Sequence, residues 1–109
     1  MAKTLEERRR VLAEWRRVAR EAAAVVKELY PEARVYLAGS LAEGEAIAGS
    51  DIDLVVVLPR EPSAREAARI IALIWDRLGL PLAHPLEVHV VSEEELQRYK
   101  RMGKLVELA

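Results

Sequence analysis

The stretch Leu37-Ala38-Gly39-Ser40-Leu41-Ala42-Glu43-Gly44-Glu45-Ala46-Ile47-Ala48-Gly49-Ser50-Asp51-Ile52-Asp53-Leu54-Val55-Val56-Val57-Leu58 constrains the chain more than any other. It begins at the end of one apolar run, crosses a polar loop punctuated by three glycines, and enters a second apolar run through two aspartates. The order is therefore strand, Gly-Ser turn, loop, Asp-x-Asp strand. Side chains of an extended segment alternate faces, so Asp51 and Asp53 point one way while Ile52, Leu54 and Val56 point the other. Two carboxylates held side by side repel unless a cation lies between them. A hard divalent ion such as Mg2+ answers that need, since it takes a few carboxylate oxygens together with waters and substrate phosphates. Gly39 and Ser40 can turn backbone N–H groups and a hydroxyl towards a phosphate, because glycine tolerates close approach. Metal and phosphate meeting in one cleft suit phosphoryl or nucleotidyl transfer, where catalysis consists mostly of positioning and charge neutralisation. Taken alone, Asp-x-Asp reads more readily as the solvated start of a strand; the Gly-Ser turn at this distance and an acid inside a later apolar strand reverse that reading.

The rest of the chain supplies the frame. Thr4-Leu5-Glu6-Glu7 has the form of a capping box, and Leu12, Trp15, Val18, Ala19, Ala22, Val25, Val26 and Leu29 recur at helical spacing up to Pro31, predicting one helix over about 5–29. Its other face alternates glutamates and arginines in a solvated ladder, and the cluster Arg8-Arg9-Arg10 with Arg16 and Arg17 is a candidate for docking a partner. Strands are predicted at Arg34–Ala38 and Ile52–Leu58, with Ser40 capping a short helical turn towards Gly44. Ser63-Ala64-Arg65-Glu66 opens a second long helix that Gly79 ends, with Trp75 expected in the core. Leu86-Glu87-Val88-His89-Val90-Val91 is a third strand, in which Glu87 and His89 share a face. An acid on a strand so apolar needs a partner or a metal. His89 reads as a structural residue that can hydrogen-bond a ligand, and His84 receives no role. A last helix begins at Ser92-Glu93-Glu94-Glu95 and ends near Gly103, followed by a strand fragment whose Leu105, Val106 and Leu108 can pack on a partner.

Gly39-Ser40, ten residues, then Asp51-Ile52-Asp53 resembles the signature of the minimal nucleotidyltransferases of the DNA polymerase β superfamily, and the likeness runs from about Val35 to His89. The resemblance implies an α/β (α+β) fold, a small mixed sheet covered by helices on one face, in one domain over residues 1–109. It implies metal ligands and catalytic carboxylates at Asp51, Asp53 and Glu87, with nucleotide phosphates held by Gly39, Ser40, Gly44 and Ser50. Family members often carry arginine before the loop glycine, where this chain has Glu43 before Gly44. Another cation must then face the phosphates, and Lys100, Arg101 and Lys104 are within the last helix and its exit.

The implied activity is Mg2+-dependent transfer of a nucleoside monophosphate, AMP from ATP, to a hydroxyl acceptor. Similar short chains are antitoxins that modify a tyrosine of a HEPN ribonuclease partner by AMPylation. Two alternatives stay open: a weak or inactive nucleotide-binding antitoxin that acts by contact, and a small-molecule nucleotidyltransferase acting, for example, on an aminoglycoside.

Composition narrows the field further. With 109 residues and a formal net charge of −1, the chain expects one core and has no global pull towards nucleic acid or an anionic membrane, while a homo-oligomer stays compatible. Cysteine is absent, which excludes disulfides and thiolate chemistry and fits a reducing cytoplasm. No apolar run is long enough to span a bilayer, and no signal peptide is read at the start. Asparagine is absent and glutamine occurs once, at Gln97, a lean towards heat adaptation.

Overall fold

The computed structural model describes residues 2–45 and 50–109. Ala46 to Gly49 of the predicted loop lie outside them. In chain order the elements are α1 (Ala2–Ala13), α2 (Trp15–Leu29), β1 (Arg34–Ala38), α3 (Gly39–Ala42), β2 (Ile52–Leu58), α4 (Ala64–Leu78), β3 (Leu86–Ser92), α5 (Glu93–Met102) and β4 (Val106–Glu107). The strands form one mixed sheet in the order β3-β2-β1-β4. β1 runs antiparallel to both β2 and β4, whereas β2 and β3 are parallel. The mixed sheet expected from the sequence is thus present.

The alternation of each strand divides two cores. Ile52, Leu54, Val56 and Leu58 of β2 join Val35, Leu37 and Leu86 in the larger one, against Val18, Ala22 and Val26 of α2 and Ile70 and Ile74 of α4. Leu54 and Ile74 are fully buried, and side chains of this size contribute about 2 kcal/mol each by leaving water. The residues between them, Val55 and Val57, face the opposite side with Tyr36, Ala38 and Val91, where Leu96 of α5 covers them. The sequence reading left that whole face open. The structure corrects this: Leu96 is fully buried against that face, so α5 closes part of it.

Helix ends follow local chemistry where the caps are strong. Ser63 Oγ accepts from the Glu66 N–H and Ser92 Oγ from the Glu95 N–H, at 3.1 and 3.3 Å, as both capping boxes predict. Gly79 ends α4 in the left-handed conformation. Thr4 does not cap: it lies inside α1. The single first helix is also two, since Glu14 departs from helical geometry at φ −107° and ψ 30°. No proline or glycine lies in this stretch to announce the break.

Trp75 is a second correction. It is 45% exposed and meets the His84 ring edge-on at 5.0 Å, because Ile70 and Ile74 fill the sheet-facing positions of α4 instead. The C-terminal segment also differs from a surface for a partner. β4 pairs Val106 with Leu37, and Leu108 and Val106 pack on the chain's own larger core while Leu105 packs on the smaller one. No helix among the described residues is long and apolar enough to cross a membrane.

Candidate active site

Strand register builds the site. Asp53 of β2 is opposite Ala38 of β1 and beside Glu87 of β3, so three residues form one row across the sheet. In-register neighbours on adjacent strands stand about 4.8 Å apart with side chains on the same face. Two residues along β3, His89 shares that face and sits beside Val55. Its Nε2 is 3.9 Å from Asp53 Oδ1, the separation of an ion pair rather than a hydrogen bond. Ligand atoms of Asp53, Glu87 and His89 all lie within 4.8 Å of one another.

Glu87 is exposed, so burial is not what calls for a counter-ion here; charge is. The neighbouring Asp51 carboxylate holds the Glu87 carboxyl above the usual glutamate range, with desolvation and the charge of Asp53 acting the same way. The Asp53 carboxylate likewise holds the His89 imidazole above its ordinary value, against partial desolvation. A carboxyl that keeps its proton because of neighbouring acids lies in a cluster short of positive charge.

These raised values have a measurable consequence. A glutamate whose folded-state pKa is raised stabilises the fold below its unfolded pKa and loses that contribution as pH rises through the folded one. At pH 7 an ionised Glu87 therefore costs stability. Glu87→Gln is expected to raise the melting temperature of the chelator-treated protein at pH 7 by about 2 °C, and to give no gain at pH 3, where the wild-type carboxyl is protonated too. A loss of stability at pH 7 would contradict the clustering.

Gly39 is required by two independent features. Its φ is +70°, a region costly for other residues, and a Cβ there would lie 2.4 Å from Asp53 Oδ2. The backbone thus passes directly under the acid. Ser40 Oγ donates to Ser50 Oγ at 3.2 Å, which ties the Gly-Ser turn to the residue before Asp51. Gly44 also has positive φ, but open space surrounds it.

Asp51 faces Arg8. Its Oδ1 accepts from Arg8 Nη2 at 2.6 Å, and the same guanidinium donates to the Ser50 carbonyl at 3.3 Å. Sequence reasoning missed this contact. The arginine run was visible, but helical periodicity says nothing about which loop α1 lies beside. Glu43 is explained locally: its Oε1 accepts from the Lys104 N–H at 2.7 Å, holding the exit of α5.

Between the row of acids and α5 lies a cavity of about 500 Å³, within the range of small-ligand sites. Asp53, His89, Gly39 and Ala38 form its floor side, and Tyr99, Met102, Leu105 and Lys104 the other. Tyr99 packs against His89 with ring centroids 5.9 Å apart, and burial pushes its phenol up. The arrangement offers an acidic, cation-seeking end joined to an apolar wall.

The residues fit a divalent ion. Opposed oxygens around Mg2+ stand about 4.2 Å apart, and the 4.8 Å spread of the Asp53, Glu87 and His89 atoms closes to that by small side-chain rotations. Carboxylates are suitable ligands for Mg2+ and Mn2+, while the imidazole suits softer ions.

A four-stranded mixed sheet that carries a Gly-Ser turn beside strand-borne acids defines the class, the nucleotidyltransferases. The chain belongs to the nucleotidyltransferase domain family, whose profile matches residues 19–108, and so to the DNA polymerase β superfamily. It is 34% identical over 105 residues to a bifunctional uridylyltransferase/uridylyl-removing enzyme of Bordetella pertussis, and 33% identical to that of Bordetella parapertussis. These alignments cover 91% of this chain but 12% of the relatives, so the chain spans a small part of their length. A crystal structure provisionally described as a nucleotidyltransferase superposes with TM-score 0.62 at 26% identity, covering 79% of this chain and 91% of the other. One from Sulfolobus solfataricus, at 23% identity, shares the fold with TM-score 0.63 over 95% of this chain and 84% of that one.

Proposed function

We propose that the chain transfers a nucleoside monophosphate from a nucleoside triphosphate to a hydroxyl on a separate protein, with AMP from ATP and a tyrosine of a HEPN partner as donor and acceptor. The observation that carries this reading is the row Ala38, Asp53, Glu87 with the Gly39 backbone directly beneath it. It joins a cation-seeking acid cluster to a turn that presents N–H groups. Asp53 and Glu87, with Asp51 beside them, would hold Mg2+. When bound, the ion neutralises the triphosphate and the charge that develops on the leaving pyrophosphate.

The remaining parts follow from this chain's own groups. Gly39 and Ser40 hold the phosphates. Ser50 and Gly44 shape the loop around them. Tyr99, Met102 and Leu105 offer an apolar wall for a base or an aromatic acceptor. The acceptor oxygen forms a bond to the α-phosphorus as the bond to the bridging oxygen breaks and pyrophosphate departs. The hydroxyl proton passes to a carboxylate of the cluster. His89 keeps Asp53 oriented.

The uridylyltransferase relatives make UTP the donor to test beside ATP. Glu43, which in sequence alone favours an inactive, contact-only antitoxin, accepts from the Lys104 backbone N–H. Incubation of the purified chain with Mg2+, labelled ATP or UTP, and the product of the adjacent reading frame tests the proposal. Label is expected on a tyrosine of that product. Label that stays off it, or neutralisation of the partner that survives Asp51→Asn with Asp53→Asn, would refute the proposal.

A further inference from the structure

The guanidinium of Arg8 comes from α1, more than forty residues away in sequence, and ends between Asp51 Oδ1 and the Ser50 carbonyl. Ser50 is in turn held through its hydroxyl by Ser40 of the Gly-Ser turn. Arg8 therefore stands one residue from the turn that faces phosphate in the function proposed above, on which this inference rests. Position 43, where a basic residue would serve, holds a glutamate engaged with the Lys104 N–H. The Arg8 and Asp51 side chains are 29% and 44% exposed, and an ion pair this open to water is weakly held and readily exchanged.

We propose that Arg8 is a phosphate-binding residue of this site: its pairing with Asp51 is the resting contact, and in the loaded site the guanidinium grips the triphosphate from α1. The fork of a guanidinium matches phosphate oxygens bidentately, and a polyphosphate offers more negative charge than one carboxylate. Asp51, once released, can share a cation with Glu87 and Asp53, beside which it already lies. A residue that merely positioned Asp51 would behave differently, since its removal would weaken metal binding first.

Calorimetric titration separates the two roles. Mn2+ alone, and then α,β-methylene ATP or α,β-methylene UTP in saturating Mn2+, are titrated into wild type, Arg8→Gln, Arg8→Lys and Arg9→Gln. Val11 is the only buried core residue among the described side chains of α1, so Arg8→Gln leaves the packing intact, and a thermal melt checks this. Arg8→Gln is expected to bind Mn2+ no more weakly than wild type and the preferred analogue about tenfold more weakly. Arg8→Lys should recover part of that loss. Arg9→Gln, which removes the same charge from an exposed neighbour, should change neither. Unchanged analogue binding in Arg8→Gln would overturn the proposal, as would a parallel loss of Mn2+ and analogue affinity. Wild type that binds neither analogue would overturn the nucleotide reading of the site itself.

Discussion

Asp53→Asn is expected to lower nucleotidyl transfer by about 10³-fold, equivalent to ~4 kcal/mol of barrier, without unfolding the protein. Asp53 is the hinge of the site. It lies in register with Glu87, faces His89, rests on the Gly39 backbone and lines the cavity. Asparagine keeps the shape and removes the charge, so the row of side chains survives while its hold on a divalent cation is lost. Relief of repulsion with Glu87 should leave the melting temperature equal or slightly higher. Single-turnover transfer measured alongside a thermal melt checks both halves. A variant that retains more than about a tenth of wild-type transfer would show that the chemistry does not run through this row.

Gly39→Ala is the second large effect, and it acts through shape alone. An alanine at φ +70° costs about 1–2 kcal/mol in backbone energy, which lowers the melting temperature by about 5–10 °C in a domain of this size. Its Cβ would also meet Asp53 Oδ2 at 2.4 Å, so the carboxylate must swing out of the row and Mn2+ affinity should fall at least about tenfold. Gly44→Ala is the control, with φ +83° and open space around it. It should show a similar thermal loss and keep Mn2+ affinity. Equal Mn2+ binding in the two variants would mean that Gly39 serves the turn and not the acid.

The fold was largely legible because its signals are local. Period-two alternation in Ile52–Leu58 and Leu86–Ser92 fixes which side chains face the helices, and Ser63 and Ser92 announce α4 and α5 by the serine and glutamate that a capping box needs. The placement of Asp53 and Glu87 in one row follows from parallel register, which no spacing within one strand can state. Thr4 has the same capping pattern as Ser63, yet α1 begins before it, because a favourable helix interior outweighs one cap hydrogen bond. Trp75 lies at helical spacing with the core residues, but α4 buries a narrow stripe and leaves the indole beside His84. Glu87 is a ligand candidate on other grounds than its apolar strand suggests: the residue is exposed, and repulsion among neighbouring acids, not burial, calls for a cation. Arg8 was invisible because its importance depends on where α1 lies relative to a loop more than forty residues later.

The most direct measurement of the central claim, that Asp53 and Glu87 share one cation beside His89, uses the protein's two histidines as reporters. Paramagnetic Mn2+ is titrated while the ring resonances of His89 and His84 are followed by NMR. His89 faces the acids, whereas His84 packs on Trp75 of α4. The structure predicts that His89 signals broaden at substoichiometric Mn2+ well before those of His84, and that Asp53→Asn removes the difference. Histidine signals that broaden together, or a His89 signal indifferent to the ion, would contradict a shared metal site.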